Sequence, residues 1–239
     1  IIKCRHKKQI KPITMKIRVA FLRAFPMLLL INSCSGEKNN PGNNDSAGNG
    51  TDVNSGNDDF VLDYLLAFAD EAALKKAYGE KNVRHDTIWG PEGMYYMGTL
   101  LFPGTENEVE ISWEDTVHFA VMLSAQTVWH SDDNGNWKKP GQWKSKSGIS
   151  LGISLKTLEK INGASFKFYG FGWDYSGIVS SWEGGKLDKQ RTFVALGPGN
   201  LNENSPAYTR LLGDGEFVSS SADAQSANIV VVELSIGKQ

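Results

Sequence analysis

Cysteine is nearly absent from this chain: only Cys4 and Cys34 occur among its 239 residues. A set of disulfide bonds therefore cannot hold the fold together, and the domain must depend on its hydrophobic core. Histidine is scarce as well. None of His85, His118 and His130 has a second histidine or a cysteine two to four residues further on, which is the usual spacing of zinc ligands. We therefore predict no metal site and no cofactor.

Motifs for phosphate and calcium binding are missing too. Gly197-Pro198-Gly199 is not followed by the lysine and helix of a phosphate-binding loop. Asp132-Asp133-Asn134-Gly135 begins like a calcium loop, but its glycine comes too early and Trp143 stands where the loop needs a glutamate. A hairpin turn at Asn134-Gly135 explains that segment better.

Acidic residues are absent from the N-terminal segment, where all eight lysines and arginines before Cys34 stand without a negative partner. Lys16, Arg18 and Arg23 supply positive charge, and Phe21–Ile31 forms an apolar core of eleven residues. A helix of that length cannot cross a hydrocarbon core of about 30 Å. We predict a removable export signal at residues 15–33, preceded by an upstream extension at residues 1–14 that is not translated.

The signal ends in a sequence that points to an attachment site. Leu30-Ile31-Asn32-Ser33-Cys34 resembles the lipobox of bacterial lipoproteins, in which the cysteine becomes the acylated first residue of the mature chain. The resemblance implies lipidation at Cys34 with several acyl chains, which is what stable attachment requires. It also implies a membrane-anchored lipoprotein of the bacterial cell envelope, on the outer membrane and facing the periplasm or the cell surface.

The charge of the predicted mature chain excludes some partners. Without the signal, 17 basic residues remain against 27 acidic ones, a formal charge of −10. Nucleic acids and anionic lipids are bound by lysine and arginine, which displace counterions from phosphate. We therefore predict no nucleic-acid partner, and contact with the membrane only through the lipid on Cys34.

Composition divides the rest of the chain in two. Residues 35–59 are rich in Asn, Gly, Ser and Asp and contain almost no apolar residue, so residues 34–59 are predicted to be the lipidated cysteine and a flexible tether. Residues 60–239 have the hydrophobic content of a globular domain large enough for a substantial core.

Local patterns within residues 60–239 predict a mixture of helices and strands. Phe60 to Phe68 has apolar residues at helical spacing, Asp70 is a typical N-cap for a helix ending at Gly79, and Ser154 is an N-cap for a helix ending at Asn162-Gly163. The predicted strands are Met94–Phe102, Val109–Trp113, Val117–Leu123, Ser165–Tyr169, Tyr175–Trp182, Arg191–Leu196 and Asn228–Ile236, with a long loop at Gly197–Ala227.

Two helix-then-strand blocks align at an offset of 84 residues. The offset pairs Asp70 with Ser154, Leu74 with Leu158, Gly79 with Gly163, Trp89 with Trp173 and Gly93 with Gly177. We predict an internal duplication with repeats at residues 60–135 and 148–239. With or without the duplication, the fold class is α+β, with helices on one face of antiparallel sheet.

The second capped helix carries a further resemblance. The segment Gly152–Gly163 resembles the opening helix of the helix-plus-meander modules of the β-lactamase-inhibitor-protein family and of small outer-membrane-assembly lipoproteins. In the first family the module is tandem, and its sheet presents an aromatic face to a protein partner. Asn162–Gly177 is also similar to segments of uncharacterised bacterial lipoproteins, and no activity follows from that similarity.

Aromatic residues suggest where a ligand binds. The densest aromatic run is Phe166–Tyr175, and exposed aromatic rings stack on sugars or anchor protein interfaces. Gly170 and Gly172 flank Phe171, as happens where another backbone approaches or a bulge forms. The predicted binding residues are Phe171, Trp173, Asp174, Tyr175 and Trp182. The alternative, that most of these rings fill the core, stays open.

Two acids support a catalytic alternative. Asp174 lies between two aromatic residues and Glu183 follows nine residues later, so the two carboxyl groups could act as the acid pair of a glycoside hydrolase. A role for Asp174 in closing a tight turn competes with this interpretation.

Three functions follow in order of preference. The first is a non-catalytic binding domain for a protein or glycan on the bacterial envelope. The second is a saccharide or cell-wall hydrolase that uses Asp174 and Glu183. The third is a structural accessory of outer-membrane assembly, which predicts a flat surface without a pocket.

Overall fold

Antiparallel strand pairing organises this protein, whose computed structural model describes residues 60–90, 93–201 and 203–238. Over these residues, nine strands form two sheets, and five short α-helices pack beside them. The strands are β1 (Val83–Trp89), β2 (Tyr95–Leu101), β3 (Val109–Asp115), β4 (Ala120–Val128), β5 (Lys167–Tyr169), β6 (Val179–Ser181), β7 (Thr192–Pro198), β8 (Glu216–Val218) and β9 (Ile229–Gly237). The helices are α1 (Leu62–Leu65), α2 (Glu71–Tyr78), α3 (Leu155–Asn162), α4 (Pro206–Thr209) and α5 (Ala222–Ser226). The predicted α+β class with antiparallel sheet is confirmed.

The larger sheet has six strands in the order β1-β2-β3-β4-β9-β7, and the smaller has three in the order β6-β5-β8. The last strand of the chain, β9, thus lies between β4 and β7 and pairs with both. Its β-branched sequence suits a central strand, which is covered by neighbours on both edges.

Both predicted helix caps are present. The Asp70 side chain accepts a hydrogen bond from the backbone N–H of Ala73 at 2.7 Å, and the Ser154 hydroxyl accepts one from Thr157 at 3.2 Å. Each oxygen satisfies one of the N–H groups that a helix start leaves without an internal partner. Gly79 and Gly163 follow the two helices with positive φ angles of 90° and 76°, a conformation that glycine adopts without strain.

Several stretches differ from their predictions. No strand was predicted at β1, and the strand expected at Tyr175–Trp182 begins four residues later as β6. The strand expected at Val117–Leu123 begins three residues later as β4, because the Asp115 carboxylate accepts the backbone N–H groups of Val117 and His118 and closes a turn there. The loop expected at Gly197–Ala227 contains α4, β8 and α5. Ser205 and Ser221 cap these two helices, but elements of three to five residues are too short to produce a periodic pattern.

One continuous hydrophobic cluster fills the space between the helices and the inner face of the larger sheet, and it draws residues from both predicted repeats. Trp143, with none of its surface exposed, lies within this cluster. A buried polar chain crosses its edge: the Thr99 hydroxyl donates to the Glu71 carboxylate at 2.5 Å and accepts from the Trp113 indole at 2.9 Å. This chain joins α2 to β2 and β3.

The strand register places a row of side chains across the opposite face of the larger sheet. Leu100 lies opposite Glu110, Glu110 opposite Gln126, Gln126 opposite Ser235, and Ser235 opposite Phe193. Directly opposed residues point to the same face of a sheet. Five strands therefore contribute to one continuous surface on the side away from the helices, which we call the open face.

Candidate functional site

The open face of the larger sheet carries a cleft of about 610 Å³, which we call the open-face cleft. It has the size of a small-molecule binding site. It is lined by Ile88, Trp89, Gly90, Tyr96, Glu110, Gln126, Asp174, Ser176, Ile178, Phe193, Ala195, Glu233 and Ser235. Residues far apart in the chain thus meet on one surface.

Polar side chains from three neighbouring strands form the floor of this cleft. Glu110 on β3 and Gln126 on β4 are directly opposed, and Gln126 is opposed in turn to Ser235 on β9. Glu233 is two residues before Ser235 on the same strand, so it points to the same face. Amide, hydroxyl and carboxyl groups therefore lie side by side, where they can contact one ligand.

The two floor carboxyl groups have unusual electrostatics. Burial and, to a smaller extent, the nearby charge of Glu110 raise the pKa of Glu233 to about 7. Burial also raises the pKa of Glu110, with a smaller contribution from Glu108. The pKa of Tyr96 is raised by burial and then by both glutamates. Perturbed pKa values of this kind are concentrated at functional sites.

The hairpin of β1 and β2 forms one wall of the cleft. Tyr96 on β2 is directly opposite Ile88 on β1, so both lie on the open face, and Tyr96 is 40% exposed. Trp89 and Tyr95 alternate with them and point to the other face of the sheet, where their rings pack at 5.4 Å between centroids. Gly98 on β2 leaves room for the side chain of Ile88, because a Cβ at Gly98 would lie 2.3 Å from the Ile88 Cδ1 atom. Ile88 thereby lies flat on the open face beside Tyr96.

The loop at residues 170–178 forms the opposite wall and brings Asp174 and Ser176 to the cleft. The Ser176 hydroxyl accepts a hydrogen bond from the backbone N–H of Gly172 at 3.0 Å. The backbone N–H of Leu196 on β7 donates to the carbonyl of Gly177 at 2.9 Å. The loop is thus fixed internally and attached to the larger sheet.

Gly177 makes this attachment possible, which leads to a test. Its φ angle is +70°, and a Cβ there would lie 1.9 Å from the carbonyl oxygen of Leu196. We expect Gly177→Ala to lower the free energy of unfolding by about 2 kcal/mol, from backbone strain and overlap together. Gly184→Ala is the matched control, because Gly184 has a φ angle of +72° but open space around its α-carbon.

Urea denaturation of both variants separates the two contributions. Gly184→Ala should lose only the conformational part, about 1 kcal/mol. Equal losses for the two variants would contradict the close approach of the loop to β7.

Two of the predicted binding residues are buried, which corrects the expectation that they are exposed to a ligand. Phe171 is 2% exposed and Trp182 is 8% exposed. Phe171 stacks on Tyr208 at 4.9 Å, and Trp182 packs against Phe166 at 5.3 Å. Because no disulfide bonds help to hold the fold together, the core depends on these large rings. Their burial agrees with the alternative interpretation, in which most of the rings in the aromatic run fill the core.

The other three predicted binding residues, Trp173, Asp174 and Tyr175, lie at the surface of the loop at residues 170–178. The Trp173 ring packs between Tyr169 and Tyr175, at 5.7 and 5.2 Å, and its indole N–H donates to the carbonyl of Gly170 at 3.0 Å. Asp174 lies between these rings in the sequence and lines the cleft. This aromatic group therefore flanks the open-face cleft.

Gly170 and Gly172, which flank Phe171, leave space for another segment of the same chain. A Cβ at Gly170 would lie 2.4 Å from the carbonyl oxygen of Gly213 and 2.6 Å from that of Leu211. Phe171 also forms a parallel bridge with Leu212. The backbone that approaches this strand is therefore the segment 211–213.

Glu183 does not line the cleft with Asp174. Its carboxylate accepts a hydrogen bond from Ser181 at 2.8 Å and forms an ion pair with Lys167 at 3.3 Å. The hydrogen bond from Ser181 and then the Lys167 ammonium lower the pKa of Glu183. Among the residues that the structure describes, the carboxyl groups that line the cleft with Asp174 are those of Glu110 and Glu233.

Sequence reasoning missed both floor glutamates, although one signal was available. Glu233 is the single charged residue within the apolar strand Ile229–Ile236. Because acidic residues are rarely buried without a partner, a lone acid in such a strand indicates a functional position. Glu110 alternates with apolar residues as any solvent-facing strand residue does, so no local pattern distinguishes it.

A second cleft, of about 560 Å³, lies beside the stacked rings of Trp129 and Trp137, which are 4.9 Å apart. Its lining combines acidic and basic side chains, and Lys139 pairs with Glu106 at 3.7 Å. Because its charges are of both signs and partly paired, this cleft selects no particular ligand charge.

The segment Gly148-Ile149-Ser150-Leu151-Gly152 matches the Gly-x-Ser-x-Gly pattern around many nucleophilic serines. In those enzymes the serine lies on the turn between a strand and a helix. Ser150 instead forms an isolated bridge with Lys144, and no described histidine hydrogen-bonds to it. The pattern therefore does not form a catalytic triad within the described residues.

Comparison with protein-family models, curated proteins and solved structures finds no match for this chain. Over the described residues, no group of three or more His, Cys, Asp and Glu side chains is arranged to hold a metal ion. No helix in this part of the chain is both long and apolar enough to span a bilayer. Cys34 and the predicted export signal lie outside the described residues.

Proposed function

We propose that this protein is an acylated lipoprotein of the bacterial envelope whose folded domain binds a glycan, without catalysis, in the open-face cleft. The supporting observation is that one cleft combines exposed aromatic rings with a row of hydrogen-bonding side chains. Sugar rings present apolar C–H faces to aromatic rings and hydroxyl groups to polar side chains, so they match both parts of this lining.

The experiment that tests glycan binding is calorimetric titration of the full chain, in detergent, with a panel of envelope oligosaccharides. Tyr96→Ala should weaken binding at least about tenfold, the equivalent of about 1.4 kcal/mol, because it removes an exposed ring on the open face. Tyr64→Ala is the matched control, since Tyr64 is also exposed but does not line the cleft. Equal affinity of the wild type and Tyr96→Ala would contradict this site.

The lipid anchor rests on the resemblance of Leu30–Cys34 to a lipobox. If Cys34 is the acylated residue, cells grown with a labelled fatty acid should incorporate the label into the wild-type chain and not into Cys34→Ser. A labelled Cys34→Ser chain would contradict the anchor and leave the glycan proposal standing.

The second candidate function is a saccharide hydrolase, whose acids differ from the pair Asp174 and Glu183 expected from the sequence. Its support is that Asp174, Glu110 and Glu233 line one cleft, and that Glu233 has a pKa of about 7, a value suited to a general acid at neutral pH. Product analysis after incubation with each bound oligosaccharide tests this candidate. Cleavage that survives in both Glu233→Gln and Glu110→Gln would exclude these carboxyl groups as the catalytic pair.

The internal duplication is a proposal about the origin of the fold. Its support is that α2 and α3 each have eight residues, a side-chain N-cap and a glycine at the end. The strands that follow them differ: β1 has seven residues and belongs to the larger sheet, whereas β5 has three and belongs to the smaller one. Least-squares superposition of residues 60–135 on 148–239 in an experimental structure tests the proposal, which fails if only the helices align.

A further inference from the structure

The charge of the open-face cleft is of one sign. Its charged side chains are Glu110, Asp174 and Glu233, and no lysine or arginine is among the described residues that line it. An anionic ligand would be repelled by this lining, whereas a cation would be attracted.

The floor carboxyl groups have no partner within the protein. Over the described residues, neither Glu110 nor Glu233 accepts a hydrogen bond or forms an ion pair, although other surface carboxylates do both. No side-chain oxygen that is sealed from solvent lacks a hydrogen bond in this part of the chain. The oxygens of both glutamates are therefore accessible from the cleft, where a ligand can donate hydrogen bonds to them.

Like charge favours a cationic ligand. Glu110 on β3 and Glu233 on β9 lie on one face with β4 between their strands, and each is partly removed from water. A neutral ligand can donate hydrogen bonds to them but leaves their mutual repulsion in place. An ammonium group supplies donors and opposite charge together, and charge-assisted hydrogen bonds are about twice as strong as neutral ones.

The aromatic lining suits the same ligand. The rings of Tyr96 and Phe193 lie on the same face of the sheet as the carboxyl groups and line the cleft. Aromatic faces attract cations within roughly 6 Å of the ring centre. A ring that stacks on a sugar can thus also stabilise an amine carried by that sugar.

We infer that the open-face cleft binds an amino sugar with a free, positively charged amine, whose ammonium group lies between the carboxyl groups of Glu110 and Glu233. This inference rests on the proposed glycan-binding function and specifies its ligand class. Glu110 and Glu233 recognise the amine, and Tyr96 stacks on the sugar ring that carries it.

The test compares two ligands that differ only in the amine. Glucosamine oligomers and N-acetylglucosamine oligomers of equal length are titrated calorimetrically into the full chain, near neutral pH and at low salt. The free-amine oligomer should bind at least about tenfold more tightly, and Glu110→Gln and Glu233→Gln should each remove most of that difference. Glu114→Gln is the matched control, because Glu114 is an exposed glutamate on β3 that does not line the cleft.

The outcomes separate this inference from the proposed function. Equal or tighter binding of the N-acetylated oligomer overturns the amine inference and leaves glycan binding intact. A linear polyamine serves as a probe without sugar. If the polyamine binds through Glu110 and Glu233 and neither oligomer binds, the result supports an amine site and overturns the proposal that the cleft binds a glycan. No binding of any of the three probes overturns the inference.

Discussion

Replacing Trp143 by alanine should lower the free energy of unfolding by about 3–5 kcal/mol, the range found for large aromatic residues in protein cores. None of the Trp143 surface is exposed, and its ring meets that of Phe60 edge-on at 5.0 Å. Its indole N–H also donates a hydrogen bond to the carbonyl of Asn107 at 2.8 Å. The variant loses packing and leaves a partly buried acceptor without its donor, and both losses act in the same direction.

Chemical denaturation of the full chain measures this loss, and Trp89→Ala provides the comparison. Trp89 has the same side chain but is mostly exposed, so its truncation should cost less than about 1 kcal/mol. A loss of under about 1 kcal/mol for Trp143→Ala would mean that the segment around Trp143 is not part of the core.

The position of Trp143 shows why the sequence misleads here. The segment Trp137–Lys146 is rich in lysine, with proline and glycine among them, and its composition favours a solvated linker. In the structure, the backbone N–H of Lys144 donates to the carbonyl of Phe60, and the carbonyl of Lys144 accepts from the N–H of Leu62. These two bonds hold the residues on either side of Lys144, including Trp143, against the domain. One buried tryptophan among polar neighbours has no periodic pattern that could reveal it.

Features that depend on near neighbours were predictable. The caps at Asp70 and Ser154 and the glycines after the two helices follow from contacts within three or four residues, so the sequence contains them directly. The same holds for β9, because a β-branched run of its length has few alternatives.

Features that depend on strand register were not predictable. Asp174 was identified, but its neighbours Glu110 and Glu233 come from strands that lie 64 and 59 residues away in the sequence. Their meeting depends on β9 entering the sheet beside β4, and local sequence patterns do not determine which strands pair. The pairing of Asp174 with Glu183 assumed that nearness in sequence implies a shared site, and the structure places Glu183 beside Lys167.

The second large effect is a dependence of stability on pH. Because Glu233 has a pKa of about 7 in the folded protein, against 4.5 for an ordinary glutamate, the folded state holds its proton more tightly than the unfolded state does. The free energy of unfolding contributed by this group is therefore highest below about pH 4.5 and decreases as the pH rises to about 7. Each unit of pKa difference is worth about 1.4 kcal/mol, so the total decrease is about 3 kcal/mol or somewhat less, since the carboxyl group reaches the cleft.

Glu233→Gln removes this titration while keeping the size of the side chain. The variant should be more stable than the wild type by about 2–3 kcal/mol at about pH 8 and nearly equal to it at about pH 4.5, as measured by urea denaturation across that interval. The other titratable groups that line the cleft, Glu110, Asp174 and Tyr96, remain in the variant. Glu110 keeps its own raised pKa, so a smaller downward slope should persist.

Glu114→Gln is the control for this measurement as well, because Glu114 is an exposed glutamate on β3 that does not line the cleft. Carboxylates with lowered pKa values, such as Asp86 and Asp223, contribute stability that is lost only as the pH falls through their own lower range, so they do not interfere. If the free energy of unfolding of Glu233→Gln changed with pH as steeply as that of the wild type, burial would not be raising the pKa of Glu233. The cleft would then lose the feature that makes a cationic ligand its expected partner. The measured slope and the amine titration thus examine the same carboxyl group, one through folding and the other through binding.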